Sequence, residues 1–475
     1  MLNEEGLPTH RIPNHWKGKK GLYCAGLSRN GLHGAADDAN SIVDDIHRAY
    51  RDSAPDSERE PGDGADKPEE HKRLTVMETE VVIVGGGPAG LAVSACLNVL
   101  SIPNVVLEKE DHYAALWKKW SYDRLKLHIG KQYCELPHMP HPAAAPRYLS
   151  RAEFVTYLDD YAARFGVRPL CGKPVEAASF DGGSGTWRVT ARNAATGQEE
   201  TYTSRFLVAA TGENSDPVAP EIPGLDRFTG EALHSAVYKS GAKYAGKRVL
   251  VVGSGNSGME IALDLCNHGA KTAMTVRGPF HVLPRDLMYL GMGLVKYIPV
   301  HLVDPLVLML CWLRFGDLSK FGIVRPAEGP FYIKAKTGRP PIIDVGTVGK
   351  IKSGELEVMK VATSVNGDEV TFADGETRRF DAIVLATGYK NAARKWLKAI
   401  IGYGEGGLLK EDGFPVKGYP NHWKGSNGLY CAGLSKMGLA GCAMDAMRVA
   451  EDIERACQGA EALRKGEMEM KLKTT

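Results

Sequence analysis

Two glycine clusters, each set between a wholly apolar run and a helix-patterned one, constrain this chain more than any other feature. Val81-Val82-Ile83-Val84 is short, apolar and β-branched, the pattern of a strand buried on both faces of a parallel sheet. It runs directly into Gly85-Gly86-Gly87-Pro88-Ala89-Gly90. The pattern predicts a helix over 88–100 and a second strand over 104–107, ending at Glu108. In that setting G-x-G-x-x-G has a steric meaning. Gly85 permits the tight turn, Gly87 lets the backbone approach a pyrophosphate, and Gly90 lets the helix pack closely on the strand. The free N–H groups and positive dipole end of the helix favour phosphate. A carboxylate at Glu108 accepts hydrogen bonds from ribose hydroxyls, and Lys109 beside it is assigned to the same site.

The unit recurs. A strand over 248–252 leads into Gly253-Ser254-Gly255-Asn256-Ser257-Gly258, then a helix over 257–268 and a strand over 271–276 that ends at Arg277. An acid there would repel a 2′-phosphate, whereas an arginine pairs with one, so the second nucleotide is read as NADPH; a solvated strand-end charge is the plainer alternative. Two nucleotide sites in one chain imply hydride transfer between two cofactors, FAD in the first site and NADPH in the second. Strands over 205–210 and 381–386 each run into Ala-Thr-Gly, at 210–212 and 386–388. Alternating segments at 187–190 and 371–379 read as antiparallel hairpins. The expected fold is α/β, with two Rossmann-like dinucleotide-binding domains, the NADPH domain being inserted into the FAD domain. The expected divisions are 77–217 and 386–457 for FAD and 218–385 for NADPH, with a polar tail at 458–475.

The rest of the composition narrows the partners. Of 475 residues, 59 are Lys or Arg and 57 are Asp or Glu, so charge gives no case for nucleic-acid binding. The nine cysteines form no C-x-x-C, which argues against a disulfide framework, a zinc site and a dithiol redox centre; no metal is expected. No apolar stretch of signal-peptide length lies in 1–16. The most apolar run, 302–313, contains Asp304 and Pro305 and is shorter than the ~20 residues of a membrane span. It reads as a buried helix, with a membrane-surface contact as the alternative, and the expected location is cytoplasmic.

A third signature lies between the two fingerprints. Residues 228–238, Phe-Thr-Gly-Glu-Ala-Leu-His-Ser-Ala-Val-Tyr, fit F-x-G-x-x-x-H-x-x-x-Y, and Thr211-Gly212 with Pro217 fits T-G-x-x-x-x-P. Both are similar to motifs of the flavin-dependent monooxygenases that carry FAD and NADPH on one polypeptide. The stretches at 122–128, 131–137, 210–214 and 428–433 resemble the plant YUCCA branch, and the similarity covers 77–453. The resemblance implies oxidative decarboxylation of indole-3-pyruvate to indole-3-acetate, the hormone auxin, with NADPH and oxygen consumed. The small-molecule partner is then an α-keto acid. Rival readings are an N- or S-oxygenating enzyme on the same fold and an idle cofactor-binding fusion product. In relatives outside the YUCCA branch an Asn stands near the flavin where His128 stands here. His128 is therefore a candidate to hydrogen-bond the flavin side, or else a core histidine. Asn214 is a candidate cofactor contact or a turn former. Trp117 packs on the FAD adenosine region or in the core. Arg124 and Lys126 are candidates to meet a substrate carboxylate, or else surface charges. His234 and Tyr238 are expected to support the junction between domains.

The chain also repeats itself. Pro13-Asn14-His15-Trp16-Lys17-Gly18 recurs at 420–425, and Gly21-Leu22-Tyr23-Cys24-Ala25-Gly26-Leu27-Ser28 recurs at 428–435. The match extends over 6–46 and 413–453. Each copy reads as strand, glycine-rich turn and helix, and a compact domain has one slot for such a strand. The downstream copy is expected to complete the FAD domain. Residues 1–50 are expected to be a partial duplicate, dispensable and joined through a disordered linker, 51–76, that has no Leu, Ile, Val, Phe or Trp between Arg51 and Arg73; the rival is that the extra strand swaps into a second subunit.

Overall fold

The computed structural model divides into two units, Met1–Lys72 and Arg73–Thr475. The backbone is described over 75–397 and 408–473, and side chains over 76–397 and 408–460. The upstream copy at 1–50 and most of the 51–76 linker lie outside the described residues.

In the second unit, β1 (Thr75–Val84) leads through the first glycine cluster into α1 (Pro88–Val99) and β2 (Asn104–Leu107). The strand starts two residues before the expected boundary at Met77, because Thr75 and Val76 still pair with Glu200 and Thr201. Three further strands follow, β3 (Val175–Asp181), β4 (Thr186–Arg192) and β5 (Glu199–Ala209). The sheet order is β2-β1-β5-β4-β3. β1 is parallel to both neighbours, and Val81, Val82 and Ile83 are fully buried because both faces of the sheet are covered.

The long β5 divides its outer edge. Its first half pairs antiparallel with β4, from Glu199 to Ser204. Its second half, Leu207 to Ala209, pairs parallel with a late strand, Leu429–Cys431. The downstream copy of the repeat thus supplies a parallel strand of the first sheet. The helix after it, Gly438–Lys473, lays Ala446, Val449, Ala450 and Ile453 into one core with Leu91, Leu97 and Phe154. That helix continues through 458–473, where a polar tail was expected. α2 (Arg151–Arg164) closes the other side of this core and opens on a capping box between Ser150 and Glu153.

Between these parts lies the second sheet. β6 (Asp216–Pro217) leaves the first sheet, and β7 (Glu231–His234), β8 (Arg248–Val252) and β9 (Lys271–Thr275) follow, with α3 (Asn256–Asn267) after β8. Then come β10 (Val282–Pro284), α4 (Arg285–Leu294), α5 (Val300–Phe315), α6 (Pro330–Thr337) and β11 (Ile342–Asp344). β12 (Leu356–Met359) precedes an antiparallel trio, β13 (Ala362–Asn366), β14 (Glu369–Phe372) and β15 (Thr377–Arg379), and β16 (Ala382–Leu385) ends the domain. The second sheet is wholly parallel, in the order β12-β9-β8-β16-β7.

The chain returns through β17 (Tyr389–Lys390), which pairs antiparallel with β6. The two crossings between domains are thus hydrogen-bonded to each other. The late strand is β18 and its helix α7.

The apolar run at 302–313 is helical, but only one stripe of it is buried. Val303, Val307, Cys311 and Phe315 pack inward, while Leu302, Met309, Trp312 and Leu313 are more than half exposed. The expectation of a buried helix is corrected: the run is apolar all round, but α4 and α6 cover only part of it.

Candidate functional site

The first groove forms where β1 turns into α1. Gly85 holds φ at +113°, and a Cβ there would stand 2.4 Å from the Ala210 carbonyl oxygen. A Cβ on Gly90 would stand 1.9 Å from the Gly85 carbonyl oxygen. Neither position accepts a side chain, so helix and strand approach as closely as backbone allows. Gly87 faces open space at the groove. The backbone is therefore bare where a pyrophosphate would lie, at the N-terminus of α1. A half-open groove runs here, lined by Pro88, Glu108, Lys109, Trp117, Thr211 and Asn214 among others.

Glu108 is buried, and both carboxylate oxygens are engaged. Oε2 accepts the Gly86 N–H at 2.7 Å and Oε1 accepts the Glu110 N–H at 2.9 Å. Burial pushes its pKa up, against the pull of those two N–H groups. Lys109 donates to the Ser215 carbonyl at 3.2 Å, which ties the end of β2 to the first crossing. Trp117 packs edge-on against Phe154, centroids 4.6 Å apart, and also lines the groove. Asn214 lines the same groove.

The residue before Asn214 was missed. Glu213 lines the groove and accepts a hydrogen bond from the Lys436 backbone N–H. Lys334 of α6 donates to the Lys436 carbonyl. Burial raises the Glu213 pKa and lowers that of Lys334. The only sequence signal was its position after the Thr-Gly turn.

The second turn repeats the first. Gly253 holds φ at +111°, and a Cβ on Gly258 would stand 2.1 Å from the Gly253 carbonyl oxygen. The Gly253 N–H donates to Thr275 Oγ1 at 3.0 Å, so β9 braces the turn. Arg277 is exposed two residues beyond the end of β9, whereas Glu108 directly follows β2. Ser254, Gly255 and Ser257 remain partly or fully exposed at the turn. Asn256 is engaged elsewhere: its Oδ1 accepts the Ile343 N–H at 2.8 Å and fastens α3 to β11.

His128 is not in the first groove. It stands at the seam between the domains, its Nε2 2.5 Å from Oε1 of Glu260. Glu260 lies on α3 and is 2% exposed. Glu260 was also missed, since 132 residues separate it from His128.

His234 reaches the return crossing, whereas the hydrogen bond of Tyr238 stays within the second domain. His234 Nδ1 accepts the Ala236 N–H at 3.1 Å, which leaves Nε2–H to donate to the Gly388 carbonyl at 3.2 Å. Burial lowers its pKa and favours that neutral tautomer. Tyr238 donates to Asp264 Oδ2 at 2.7 Å, and the same oxygen takes the Gly241 N–H. Lys126 is exposed.

Comparison with known proteins agrees with this geometry. The model of the pyridine nucleotide-disulphide oxidoreductase family matches residues 82–286, a span that holds both fingerprints. Among solved structures, a flavin-containing monooxygenase from Stenotrophomonas maltophilia superposes with a TM-score of 0.59 at 22% identity, covering 80% of this chain and 99% of that one. Cyclohexanone monooxygenase gives 0.61 at 18% identity, covering 81% and 88%. These establish the fold. The probable indole-3-pyruvate monooxygenase YUCCA10 of Arabidopsis thaliana is 53% identical over 378 residues, 79% of this chain and 97% of the relative. The chain belongs to the YUCCA family. The rice indole-3-pyruvate monooxygenase YUCCA4 is 48% identical over 388 residues, 78% of this chain and 86% of that protein. In this YUCCA chain the family model's disulphide chemistry has no C-x-x-C to run on. Among the described residues no group of three or more potential ligands is placed to hold a metal ion, and no helix is long and apolar enough to cross a membrane.

Proposed function

We propose that this chain converts indole-3-pyruvate, oxygen and NADPH to indole-3-acetate, carbon dioxide, water and NADP+, with FAD as its resident cofactor. The observation that carries the reading is the identity shared with an indole-3-pyruvate monooxygenase over nearly its whole length, together with two glycine turns whose sterics suit two dinucleotides. FAD would be held by the turn from Gly85 to Gly90, by Glu108 and Lys109, and along Trp117. NADPH would be held by the turn from Gly253 to Gly258, with Arg277 on the 2′-phosphate. The flavin, when bound, supplies electron transfer from NADPH and the activation of oxygen. The protein's own residues bind and orient. Glu108 presents lone pairs to a ribose while two N–H groups hold it still. Asn214 lies where it can donate to a group in the groove. His128 and Glu260 fix the flavin-side segment to the nicotinamide-side helix, so the two turns keep one mutual geometry. His234 holds the return crossing with a neutral imidazole.

We place the protein in the cytoplasm: Cys96, Cys134, Cys266, Cys311 and Cys431 are buried free thiols, which suits a reducing compartment. The deciding experiment measures NADPH consumed against indole-3-acetate formed by the FAD-loaded chain. A ratio near one is expected. NADPH loss without indole-3-acetate, accompanied by an oxygenated amine or thioether when these are supplied, would replace this reading with the N- or S-oxygenating one. No NADPH consumption at all would mean an idle fold.

A further inference from the structure

The seam that holds His128 and Glu260 also holds two arginines that each leave a buried guanidinium N–H unpaired. Arg124 lies four residues before His128, on the FAD side, and Arg285 opens α4 on the NADPH side. Arg124 Nη1 and Arg285 Nε are buried and meet no hydrogen-bond acceptor. Glu260 is near enough to act electrostatically on Arg285, yet its close contact is to His128. An unmet buried guanidinium N–H is costly, and two of them, on arginines close enough to act on each other electrostatically, imply an acceptor that arrives from outside. The surroundings say which kind. Tyr148 lies under the Arg285 guanidinium, 4.9 Å from carbon to ring centroid, and Tyr122 and Tyr238 are buried within the electrostatic reach of Arg124. Glu260 is already engaged by His128, so the two guanidinium groups keep positive charge for an incoming acid. The phosphates of the nucleotide have their own places, at the N-terminus of α3 and at Arg277.

We propose that Arg124 and Arg285 form the carboxylate-binding site for the 2-oxo acid, gripping it across the domain seam while the tyrosines receive its aromatic side chain. The inference rests on the function proposed above. It also explains why a carboxylate is selected: planar guanidinium forks match carboxylate geometry, and a neutral ketone would leave them unmet.

The test measures equilibrium binding, without turnover. FAD-loaded full-length protein is titrated with indole-3-propionate, with the neutral indole-3-propionamide and with NADP+. Unsubstituted protein is expected to prefer the acid to the amide by about 10- to 100-fold, the discrimination of a charge-assisted pair. Arg124→Gln and Arg285→Gln should each remove most of that preference and leave the NADP+ Kd unchanged. Arg124→Lys and Arg285→Lys keep the charge without the fork and should lose about 10-fold; they carry the test if a glutamine variant loses its FAD. Equal binding of acid and amide by the unsubstituted protein overturns the proposal. So does a loss of NADP+ affinity with the acid preference intact, which would assign the arginines to the nucleotide. A chain that prefers the acid through these arginines yet forms no indole-3-acetate keeps the site and loses the proposed reaction.

Discussion

One methyl group should have opposite consequences at Gly87 and at Gly90. At Gly90 the Cβ would stand 1.9 Å from a carbonyl oxygen of the same turn, and neither atom belongs to a side chain that can move aside. Gly90→Ala must part α1 from β1, at a cost of about 3 kcal/mol or more, and should yield insoluble or FAD-free protein. Gly87 has extended backbone at the N-cap of α1, φ −76° and ψ −177°, which alanine adopts freely, and no atom lies within 4 Å of its Cβ. Gly87→Ala should therefore leave the denaturation midpoint of the apoprotein nearly unchanged and lower FAD affinity, because the methyl stands where the pyrophosphate approaches. Denaturant titration of the apoproteins and FAD titration check both halves; an FAD-binding Gly90→Ala would contradict the steric account. These glycines were legible in the sequence because their constraint is local, a matter of one turn against one strand. Glu260 and Arg285 were not. Their meaning depends on what stands across the seam, and the pairing of His128 with Glu260 rather than with the first groove is a fact of domain placement.

At the scale of elements, apolar runs located β2, β8, β9 and β16 to within a residue, since burial on both faces leaves a continuous apolar signature, but they marked only the last four residues of β1 and did not mark β7 or β12. The apolar run of α5 misled because composition records what a helix can bury, not how much of it its neighbours cover. What holds strand to strand also includes charge. Arg248 at the start of β8 reaches Asp381 just before β16, with Nη2 2.7 Å from Oδ1 and its own N–H 2.7 Å from Oδ2. The Arg248 side chain and N–H hold the Asp381 carboxyl down at about 2. The folded value lies below the unfolded one of ~3.9, so this contribution is present above pH 4 and is lost as pH falls towards 2. Both side chains are about two-fifths exposed, and solvent screening keeps the pair small. Asp381→Asn should cost about 0.5–1 kcal/mol at pH 7. Thermal melts of the two proteins should converge as pH approaches 2; a difference that persists there would mean that the carboxylate charge is not the source.

The whole molecule poses the question of the repeat, and the answer turns on one edge of one strand. β5 is flanked by β1 along one side, while β4 and β18 share the other, β4 taking Glu199 to Ser204 and β18 taking Leu207 to Ala209. While β18 is seated, no position beside β5 remains for a second strand of the same sequence. The upstream Gly-Leu-Tyr-Cys-Ala-Gly-Leu-Ser is therefore either a spare or a competitor for that slot, and equivalent substitutions in the two copies tell which. Cys431 is wholly buried and its thiol donates to the His422 carbonyl at 3.2 Å. A carboxylate there costs several kcal/mol on the order of a buried unpaired ion, so Cys431→Asp should abolish FAD binding. Cys24 is its counterpart in the upstream copy. If that copy is a spare, Cys24→Asp is silent, and a chain beginning at Thr75 matches the full chain in FAD content, melting temperature and coupling of NADPH use to product. If it competes, Cys431→Asp retains FAD because the upstream strand takes over, and the doubly substituted chain loses it. We expect the first pattern: the helix after β18 continues directly into the core that holds Leu91 and Phe154.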